Sequence, residues 1–484
     1  MIDIFKYNME LYNQLIKNIA DCNKYYITLL EKLIGMHNIP NRNTQGNSDI
    51  FPANGHDIYN YVARYNMSNL QNQAVMKLDG RLDFEKLKRA VRLSIDVEPI
   101  FGCRFVEGNP PYWKRLENIA MINFCTLDET DNIEQALQSY SQSYIDLDND
   151  PMLNVKIIRS EQNDALVLKI NHACCDGAGL KEYIQLLANI YNGIDHEDSR
   201  FIPDPRISGR KDQDRLLSEL GITNPDLLFK PGSDISLPMW PFPWEQSGSN
   251  TPCTSVCQLR DGYLDEIIKS ARNKGSTVND FLLTAYYRAM LQMKQPIYGL
   301  PMEIPITVDL RRYLPENKTQ AIRNFSGSVS TRLIMSIDEP FNETLRRVTY
   351  MTKEVKKGYP GLQSALGLER LENISFQETL AYYHATFDIV KANFCPLYYG
   401  DTCLPTLSNL GYLSKSLIGF GNTTVTDAYI LPPVIRAPGI LLVTGTYNSV
   451  LTLSTGYYKS TVSKEAIELL LNKIKDEITQ GCYS

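Results

Sequence analysis

Several common catalytic signatures are absent from the sequence. It contains no G-x-S-x-G nucleophile elbow, no Walker A loop, no G-x-G-x-x-G fingerprint after a strand and no H-E-x-x-H zinc motif. Each of these motifs supplies a defined part of a reaction, such as an exposed nucleophile or a phosphate-binding loop. Their absence argues against a hydrolase with a catalytic triad, a nucleotide-driven enzyme and a nicotinamide-dependent enzyme.

Membrane and secretion signals are also missing. No run of about 18 apolar residues occurs, so no transmembrane helix is expected. Asp3, Lys6 and Glu10 interrupt the apolar core that a signal peptide would need. The ten cysteines are scattered and include no C-x-x-C pair, which favours reduced thiols over a disulfide framework. We therefore expect a cytoplasmic protein.

The size and charge of the chain narrow the possibilities further. A chain of 484 residues is expected to form two domains or one large bilobal unit. Its content of 43% hydrophobic and 21% charged residues is sufficient for a well-packed soluble globule. The net charge of -6 argues against a nucleic-acid partner and against binding to a strongly anionic membrane surface.

The most informative motif that is present is H-x-x-x-D-G at residues 172–177. It follows the apolar run 165–170, which predicts a mostly buried strand. Side chains alternate along a strand, so His172 shares a face with three aliphatic residues of that run. The imidazole would project beyond the strand end, where it can accept a proton near neutral pH. The motif glycine permits a sharp turn before a helical pattern at 180–187.

Other interpretations of this motif stay open on the residues alone. His172 could be a buried structural histidine, with Asp176 holding the turn. His172, Cys174, Cys175 and Asp176 are all residue types that bind metals, but the sequence has no second cluster of such residues at the spacing of a metal site. A Cys–His nucleophilic pair is disfavoured, because residues two or three apart at a strand end seldom point together.

Strand and helix patterns alternate in both halves, which predicts an α/β bilobal architecture. In the first half we predict a strand at 73–78, a turn at 79–80, a helix that begins after Asp83 and ends at Pro99, a strand at 101–106 and a helix at 133–144. In the second half we predict helices at 281–290, 341–357 and 376–392, and strands at 302–311, 324–330, 403–408, 426–431, 440–447 and 450–457.

The patterns divide the chain into three parts. Residues 1–56 form an N-terminal helical extension and linker, 57–235 a first lobe carrying the histidine motif, and 236–484 a second lobe. Within the extension, the pattern at 1–35 predicts a helix, which would dock on its own protein, on a second copy or on a membrane surface. Residues 37–56 are predicted to form a polar linker. A long irregular connection at 195–252 contains the aromatic and proline-rich segment 238–244, interpreted as a rigid strap over a core.

Taken in order, the motifs resemble those of the chloramphenicol-acetyltransferase-like superfamily. This superfamily includes peptide-synthetase condensation domains, plant acyltransferases and microbial alcohol acetyltransferases. The resemblance spans roughly residues 60–460. It depends on the order and spacing of short motifs at 79–80, 171–172 with 176–177, 275–280, 308–311, 324–327 and 408–411.

The resemblance implies two similar lobes, each a mixed sheet with flanking helices, and an active-site tunnel between them. His172 would deprotonate an acceptor hydroxyl or amine, which attacks a thioester carbonyl, and would then protonate the leaving thiol. Asp176 would act through structure by pairing with Arg311. The resemblance assigns supporting roles to Asn171, Gly177 and Arg311, and tunnel or structural roles to Asn324, Ser326, Ser408, Asn409 and Gly411. It implies no metal and no cofactor beyond an acyl-CoA or acyl-carrier thioester as co-substrate.

Two departures from the family patterns bear on function. Condensation domains usually carry a second histidine where this chain has Asn171, and the plant D-F-G-W-G signature is replaced by residues 408–411. We therefore expect a stand-alone acyltransferase that moves an acyl group from a thioester to an alcohol. The alternatives are a condensation enzyme that uses a carrier protein in trans, since no carrier domain is fused to this chain, and a non-catalytic binding or scaffold protein. The sequence leaves the acyl chain length, the acceptor and the oligomeric state open.

Overall fold

The computed structural model describes residues 49–194, 203–206, 211–224, 240–245, 249–392 and 402–484, together with the single positions 10 and 17. Apart from those two positions, the predicted N-terminal helix at 1–35 lies outside the described residues, as does the first part of the predicted linker.

Fifteen strands occur in the described part of the chain. In order, they are β1 (Ile50–Pro52), β2 (Gln71–Leu78), β3 (Cys103–Val106), β4 (Tyr112–Arg115), β5 (Cys125–Glu129), β6 (Leu153–Arg159), β7 (Asp164–Asn171), β8 (Trp240–Pro241), β9 (Pro252–Leu259), β10 (Pro301–Asp309), β11 (Ser326–Ile334), β12 (Thr402–Tyr412), β13 (Val425–Leu431), β14 (Gly439–Tyr447) and β15 (Val450–Tyr458).

Eleven α-helices accompany them in the same described ranges. They are α1 (Gly55–Val62), α2 (Phe84–Val97), α3 (Ile133–Ser141), α4 (Gly177–Gly193), α5 (Lys211–Glu219), α6 (Tyr263–Asn273), α7 (Val278–Met293), α8 (Phe341–Val355), α9 (Leu362–Glu369), α10 (Phe376–Ala392) and α11 (Lys464–Tyr483). No described helix combines the length and the apolar character that crossing a bilayer requires.

The two lobes are each built on a mixed sheet, as predicted. The first sheet has the strand order β13-β2-β7-β6-β5, and only the β5–β6 pair is parallel. The second has the order β11-β10-β12-β14-β15-β9, with β8 paired to β12 and parallel pairs on both sides of β12. A small antiparallel sheet, β1-β4-β3, accompanies the first lobe. Helices flank the sheets, so the predicted α/β class is confirmed.

Strand β7 lies in the centre of the first sheet, and all eight of its residues are buried. Leu166, Leu168 and Ile170 belong to the main core of the first lobe, which also contains apolar residues of α2 and α4. Ala165 and Val167 point to the opposite face, where they pack in a smaller cluster with Leu137 of α3. The strand is therefore covered on both faces, which explains why Lys169 is the one charged residue between Ala165 and Ile170.

The predicted linker is wrong over its last seven residues. Residues 50–52 form β1, which pairs with β4, and α1 begins at Gly55. The polar residues belong to a helix cap: the Asn54 side chain accepts hydrogen bonds from the backbone of His56 and Asp57, and Asp57 accepts one from the Asn54 backbone. The polar residues of this segment therefore begin a helix and do not form a linker.

The predicted lobe boundary at 235/236 does not separate the two sheets completely. Strand β13 comes from the second half of the chain but pairs antiparallel with β2 at the edge of the first sheet. The predicted irregular connection at 195–252 also contains helix α5, whereas a loop was expected there. Smaller corrections affect the helix predicted at 133–144, which ends at Ser141, and the strand predicted at 101–106, which begins after a 3-10 turn.

The aromatic strap is confirmed for the described residues 240–244. Trp240 and Phe242 are fully buried in the core of the second lobe. The indole nitrogen of Trp240 donates to the Glu303 carbonyl at 2.7 Å, and that of Trp244 donates to the Thr402 carbonyl at 2.7 Å. The segment thus ties two strands of the second sheet together.

Candidate active site

A cavity of about 140 Å³ lies between the two lobes, at the carboxyl end of β7. Both halves of the chain contribute to its wall. Its lining residues are Asn72, His172, Asp176, Gly177, Ala178, Lys181, Thr307, Asp309, Ser326, Ser408, Asn409, Leu410, Ile430, Pro432, Pro433, Leu441 and Val443.

His172 reaches this cavity because it follows β7 directly. Its backbone nitrogen donates to the Leu70 carbonyl at 2.9 Å, so the pairing with the segment before β2 continues one residue past the strand. The side chain is partly accessible, while its Nδ1 atom is buried. Nε2 is therefore the ring nitrogen that can meet a ligand in the cavity.

Asn171 is buried and holds the turn that follows β7. Its Nδ2 donates to Oδ1 of Asn69 at 3.1 Å and to the Leu70 carbonyl at 3.0 Å. Its Oδ1 accepts from the Ala173 backbone at 3.0 Å. The residue is not among those that line the cavity. An amide at this position therefore fixes the backbone on either side of His172.

The surroundings of His172 favour the neutral imidazole. Burial lowers the pKa of His172 below its ordinary value of 6.5, although the Asp176 carboxylate and the Asn324 side chain act in the opposite direction. A neutral imidazole at pH 7 has a free lone pair and can accept a proton. A histidine with a pKa well above the working pH would be mostly protonated and would seldom have that lone pair.

Asp176 caps helix α4 and is 4% exposed. Its Oδ1 accepts from the Gly179 backbone at 2.7 Å, and its Oδ2 accepts from the Phe325 backbone at 2.8 Å. Nη1 of Arg311 lies 3.0 Å from the same Oδ2. Burial alone would raise the pKa of Asp176, but Arg311 and these hydrogen bonds outweigh it and hold the pKa below 3.8. The carboxylate is thus committed to structure.

Arg311 connects several parts of the two lobes from a fully buried position. Besides Asp176, its guanidinium contacts Oε1 of Glu182 at 2.8 Å and Oδ1 of Asp309 at 3.1 Å. Nη2 donates to the Arg323 carbonyl at 2.8 Å. Burial opposes the charged form, yet the three carboxylates prevail and raise the pKa of Arg311 above its ordinary value. The second-lobe arginine is therefore a charged anchor for the motif loop of the first lobe.

Gly177 occupies the first position of α4, where the second lobe approaches closely. A Cβ atom built there would lie 2.7 Å from Cδ2 of Leu410 on β12. One helical turn later, Nζ of Lys181 donates to the Leu410 carbonyl and, at 3.4 Å, to the Tyr412 carbonyl. Burial lowers the pKa of Lys181. These contacts hold the start of α4 against the strand that forms the opposite wall.

The residues predicted in the second lobe have different surroundings. Nδ2 of Asn324 donates to the carbonyls of His172 at 2.8 Å and Ala173 at 2.9 Å, so it holds the turn that carries His172. Ser326 and Ser408 line the cavity, and the Ser408 hydroxyl accepts from Thr307 at 2.9 Å. The Ser326 carbonyl lies 2.7 Å from Nε2 of a second histidine, His56, which is buried.

Asn409 and Gly411 form an irregularity in β12. The register of β12 against β14 shifts between Asn409 and Tyr412, and Gly411 has a φ of 62°. Oδ1 of Asn409 accepts from the Gly411 backbone at 3.0 Å. Asn409 lines the cavity, whereas Gly411 does not. Glycine suits this position because a left-handed backbone is strained for residues with a Cβ.

The other interpretations of the motif gain no support from the described residues. Among them, no group of three or more histidine, cysteine or acidic side chains is placed to hold a metal ion. Cys174 and Cys175 are buried, and burial raises the pKa of both well above 9.0, so each is a protonated thiol. All eight described cysteines are free.

Four polar cavity residues were given no role from the sequence: Asn72, Lys181, Thr307 and Asp309, the last of which lies in the motif at 308–311. For Lys181 a signal was available, because it lies four residues after Gly177 and therefore on the same face of α4. Thr307 and Asp309 are two residues apart near the end of β10, so their side chains lie on the same face of the strand, and both line the cavity. Asn72 gave no local signal, since its place depends on the pairing of β2 with β7.

A comparison with protein-family models supports the resemblance inferred from the motifs. The family model of a condensation domain matches residues 64–207, which include the histidine motif and most of the first lobe. No curated protein matches the chain by sequence.

Solved structures share the fold across nearly the whole chain. Trichothecene 15-O-acetyltransferase TRI3 from Fusarium sporotrichioides is 13% identical and has a TM-score of 0.67, with 89% of this chain and 95% of that chain covered. Polyketide synthase associated protein 5 from Mycobacterium tuberculosis is 13% identical, with a TM-score of 0.61 and coverages of 88% and 98%. The first condensation domain of the CDA synthetase is 12% identical, with a TM-score of 0.60 and coverages of 89% and 95%.

The predicted resemblance to the chloramphenicol-acetyltransferase-like superfamily is therefore confirmed, and the two-lobed fold is that of condensation domains. At identities of 12 to 13% the solved structures define the fold and not the substrates.

Proposed function

We propose that this protein is a stand-alone acyltransferase that transfers an acyl group from a thioester, acyl-CoA in the first instance, to an alcohol. The observation that carries the proposal is the position of His172 at the wall of a cavity between the lobes, with its Nδ1 buried. Burial lowers the pKa of His172, which favours the neutral imidazole. A general base needs a free lone pair within reach of the acceptor proton, and this arrangement supplies one.

In the proposed reaction, Nε2 of His172 accepts the proton of the acceptor hydroxyl while the oxygen attacks the thioester carbonyl. The carbon–sulfur bond then breaks, and the imidazolium returns its proton to the leaving thiolate. No covalent bond to the enzyme forms, so the rate advantage comes from holding both substrates together next to one base. Asp176 takes no part in proton transfer, because its oxygens are engaged by Arg311 and two backbone amides.

The cavity wall suits a substrate with an apolar part and a hydroxyl. The wall contains apolar side chains from β12, β13 and β14 and two prolines, together with hydroxyl, amide and charged groups. The apolar residues are Leu410, Ile430, Pro432, Pro433, Leu441 and Val443. Apolar surface binds an acyl chain or a hydrocarbon skeleton, while a few placed polar groups orient the reacting oxygen.

A carrier-protein-dependent condensation enzyme is the second candidate. The match of residues 64–207 to the condensation-domain model favours it. The presence of Asn171 in place of a second histidine favours the alcohol-acylating reading, and the fold of an O-acetyltransferase is among those that the chain resembles. Both candidates use the same base and differ in how the thioester is delivered.

Incubating the purified protein with a panel of acyl-CoA thioesters and mixed alcohols and amines tests the proposal. Mass spectrometry of the products is expected to detect an ester that depends on enzyme and on acyl-CoA. The matched control is His172→Ala, which is expected to form no ester above background. If acyl-CoA gives no product but an acyl-carrier protein does, the condensation reading replaces this one. If neither donor reacts with any acceptor, the catalytic proposal fails and a binding role takes its place.

A further inference from the structure

The Asn72 amide on the cavity wall has its nitrogen engaged and its oxygen open. Nδ2 donates to the Cys175 carbonyl at 3.1 Å, and a carbonyl partner identifies that atom as the amide nitrogen. Oδ1 accepts no hydrogen bond from the described residues, and it is not one of their fully buried polar atoms without a partner. Because Asn72 lines the cavity, this oxygen is open to a ligand bound there.

Asn72 stands beside His172 on one face of the first sheet. It lies opposite Ile170 in the antiparallel pairing of β2 with β7, and the backbone of His172 continues that pairing at Leu70. His172 and Asn72 are therefore diagonal neighbours on the same face, about 7–8 Å apart. A ligand group held at Oδ1 of Asn72 thus lies a few bonds from an oxygen that meets the His172 ring.

Asp309 of the second lobe supplies a second open acceptor. Its Oδ1 accepts from the backbone and from Nη1 of Arg311, both at 3.1 Å, whereas no described residue donates to its Oδ2. The side chain lines the cavity and is 49% exposed. Arg311 already balances the Asp309 charge, and Lys181, the lysine of the cavity wall, donates to two carbonyls of β12. Both open atoms are hydrogen-bond acceptors, and a neutral ligand with hydroxyl groups satisfies them.

We propose that the acceptor alcohol carries a second hydroxyl group near the reacting one, and that this second hydroxyl donates to Oδ1 of Asn72. The inference rests on the proposed function, because it concerns the alcohol that His172 deprotonates. One hydroxyl meets the His172 ring, the other meets Asn72 along the same face, and Asp309 can accept from a further one. Asn72 is buried, and a buried acceptor left without a donor is costly, so the site discriminates against an alcohol that has only the reacting hydroxyl.

Matched pairs of alcohols test the proposal in the wild-type protein. Each pair is a mono-alcohol and the corresponding vicinal diol: propanol with propylene glycol, and cyclohexanol with vicinal cyclohexanediol. With one acyl-CoA as donor, kcat/KM for the diol is expected to be about 5- to 100-fold higher, beyond the doubling that a second reactive hydroxyl gives. This ratio does not depend on the fraction of protein that is folded. No preference beyond that doubling, in either pair, would overturn the proposal.

Two variants of Asn72 separate direct binding from an effect on the turn. Asn72→Leu removes the acceptor and also the donor to the Cys175 carbonyl, and is expected to lose the diol preference. Asn72→Asp removes that donor but keeps an oxygen acceptor, and is expected to retain the preference. Thr307→Val is the matched control, because Thr307 lines the cavity but its hydroxyl already donates to Ser408 at 2.9 Å. It is expected to leave the diol preference unchanged.

Two patterns among the variants contradict a contact with Asn72. Retention of the diol preference in Asn72→Leu would place the second hydroxyl elsewhere. Loss of the preference in Asn72→Asp or in Thr307→Val would show that the geometry of the turn or of the whole cavity sets it.

Binding without turnover separates this inference from the proposed function. Saturation-transfer NMR of His172→Ala protein with the same alcohols needs no acyl donor. The diols are expected to bind about 5- to 100-fold more tightly than the mono-alcohols, and the absence of diol binding, or equal binding, would overturn the proposal. If the diols bind with this preference but no thioester gives an ester, acyl transfer fails and the hydroxyl site stands. If esters form from mono-alcohols and diols alike, acyl transfer stands and the hydroxyl site fails.

Discussion

Asp176 of the first lobe and Arg311 of the second form a buried ion pair, with Oδ2 and Nη1 3.0 Å apart and exposures of 4% and 2%. The acid begins helix α4 four residues after His172, and the arginine follows strand β10. The pair therefore fixes the loop that carries the histidine to the opposite lobe. Loss of Arg311 leaves Asp176 as a buried carboxylate without its cation, whereas loss of Asp176 leaves Arg311 with the carboxylates of Glu182 and Asp309 and removes the acceptor of two backbone amides.

Replacing Asp176 is expected to reduce both stability and activity. Breaking a buried pair by removing one partner commonly costs about 3–5 kcal/mol, so Asp176→Ala is expected to lower the free energy of unfolding in urea by that amount. Asp309→Ala is the matched control, because Asp309 contacts the same guanidinium at 3.1 Å but its side chain is 49% exposed. Its loss is expected to cost below about 1 kcal/mol. Equal losses in the two variants would contradict this account.

His172→Ala is expected to lower turnover by about two to four orders of magnitude, the usual contribution of a positioned general base. Turnover is measured with the acyl donor and acceptor that give product with the wild type. His384→Ala is the control, because His384 is exposed and contacts Asn66 away from the cavity. It is expected to keep wild-type turnover. A folded His172→Ala protein with near-normal turnover would remove His172 from the mechanism.

The acid limb of the kcat/KM profile is expected to report the His172 pKa. Because burial lowers this pKa below 6.5, the base stays unprotonated at neutral pH, and activity is expected to fall only as the pH drops through the lowered value. The residual activity of His172→Ala is expected to lack this limb. A midpoint at or above 6.5 would show that the buried environment does not act on the base as described.

Gly177→Ala is expected to cost about 1–3 kcal/mol of stability, the usual effect of overpacking, and to reduce turnover. The new methyl group would lie 2.7 Å from Cδ2 of Leu410, which is the far end of a flexible side chain. The double variant Gly177→Ala with Leu410→Ala is therefore expected to recover part of the stability lost. Thermal unfolding of the two single variants and the double variant measures this coupling. Strictly additive losses would place the strain in the backbone.

Glu98 is expected to make the protein less stable as the pH rises. Burial raises its pKa from 4.5 to about 8, against the opposing effects of Arg206 and the Ile322 backbone amide. Between these values the folded protein holds a proton that the unfolded chain has released, so the free energy of unfolding decreases with rising pH. Glu98→Gln, which is neutral throughout, is expected to flatten the decrease.

The free energy of unfolding of Glu98→Gln is measured by urea titration at several pH values across this window. The exposed Glu129→Gln is the control and is expected to leave the slope as in the wild type. A slope that Glu98→Gln leaves unchanged would assign the pH dependence to other groups.

Much of the first lobe could be predicted because its signals are local. The apolar run before His172 predicted β7, and Asp83 predicted the start of α2, where its side chain accepts from the Lys86 backbone at 3.0 Å. The pairing of Asp176 with Arg311 was inferred from family motifs, and the structure contains that contact. Alternation along a strand and capping of a helix depend on neighbouring residues, so the sequence displays them directly.

Other features were decided by tertiary structure. Strand β13 joins the first sheet by pairing with β2, although its residues lie in the second half of the chain. The capping box of Asn54 and Asp57 is a local signal that the linker prediction overlooked, whereas the tertiary structure decides where α1 lies, with Gly55 close to the backbone of Leu368. Asn72 and Thr307 reach the cavity through strand pairing. Such contacts join residues far apart in the chain and leave no periodic pattern at either one.

The sequence by itself determined the α/β class, the core strand and the histidine motif at its end, because each depends on the type and spacing of neighbouring residues. The three-dimensional structure decided which second-lobe groups contact the histidine motif. They are the Asn324 amide at the His172 carbonyl, the Arg311 guanidinium at Asp176 and the Leu410 side chain next to Gly177. These contacts depend on how the two halves of the chain meet, and packing is a property of the whole chain.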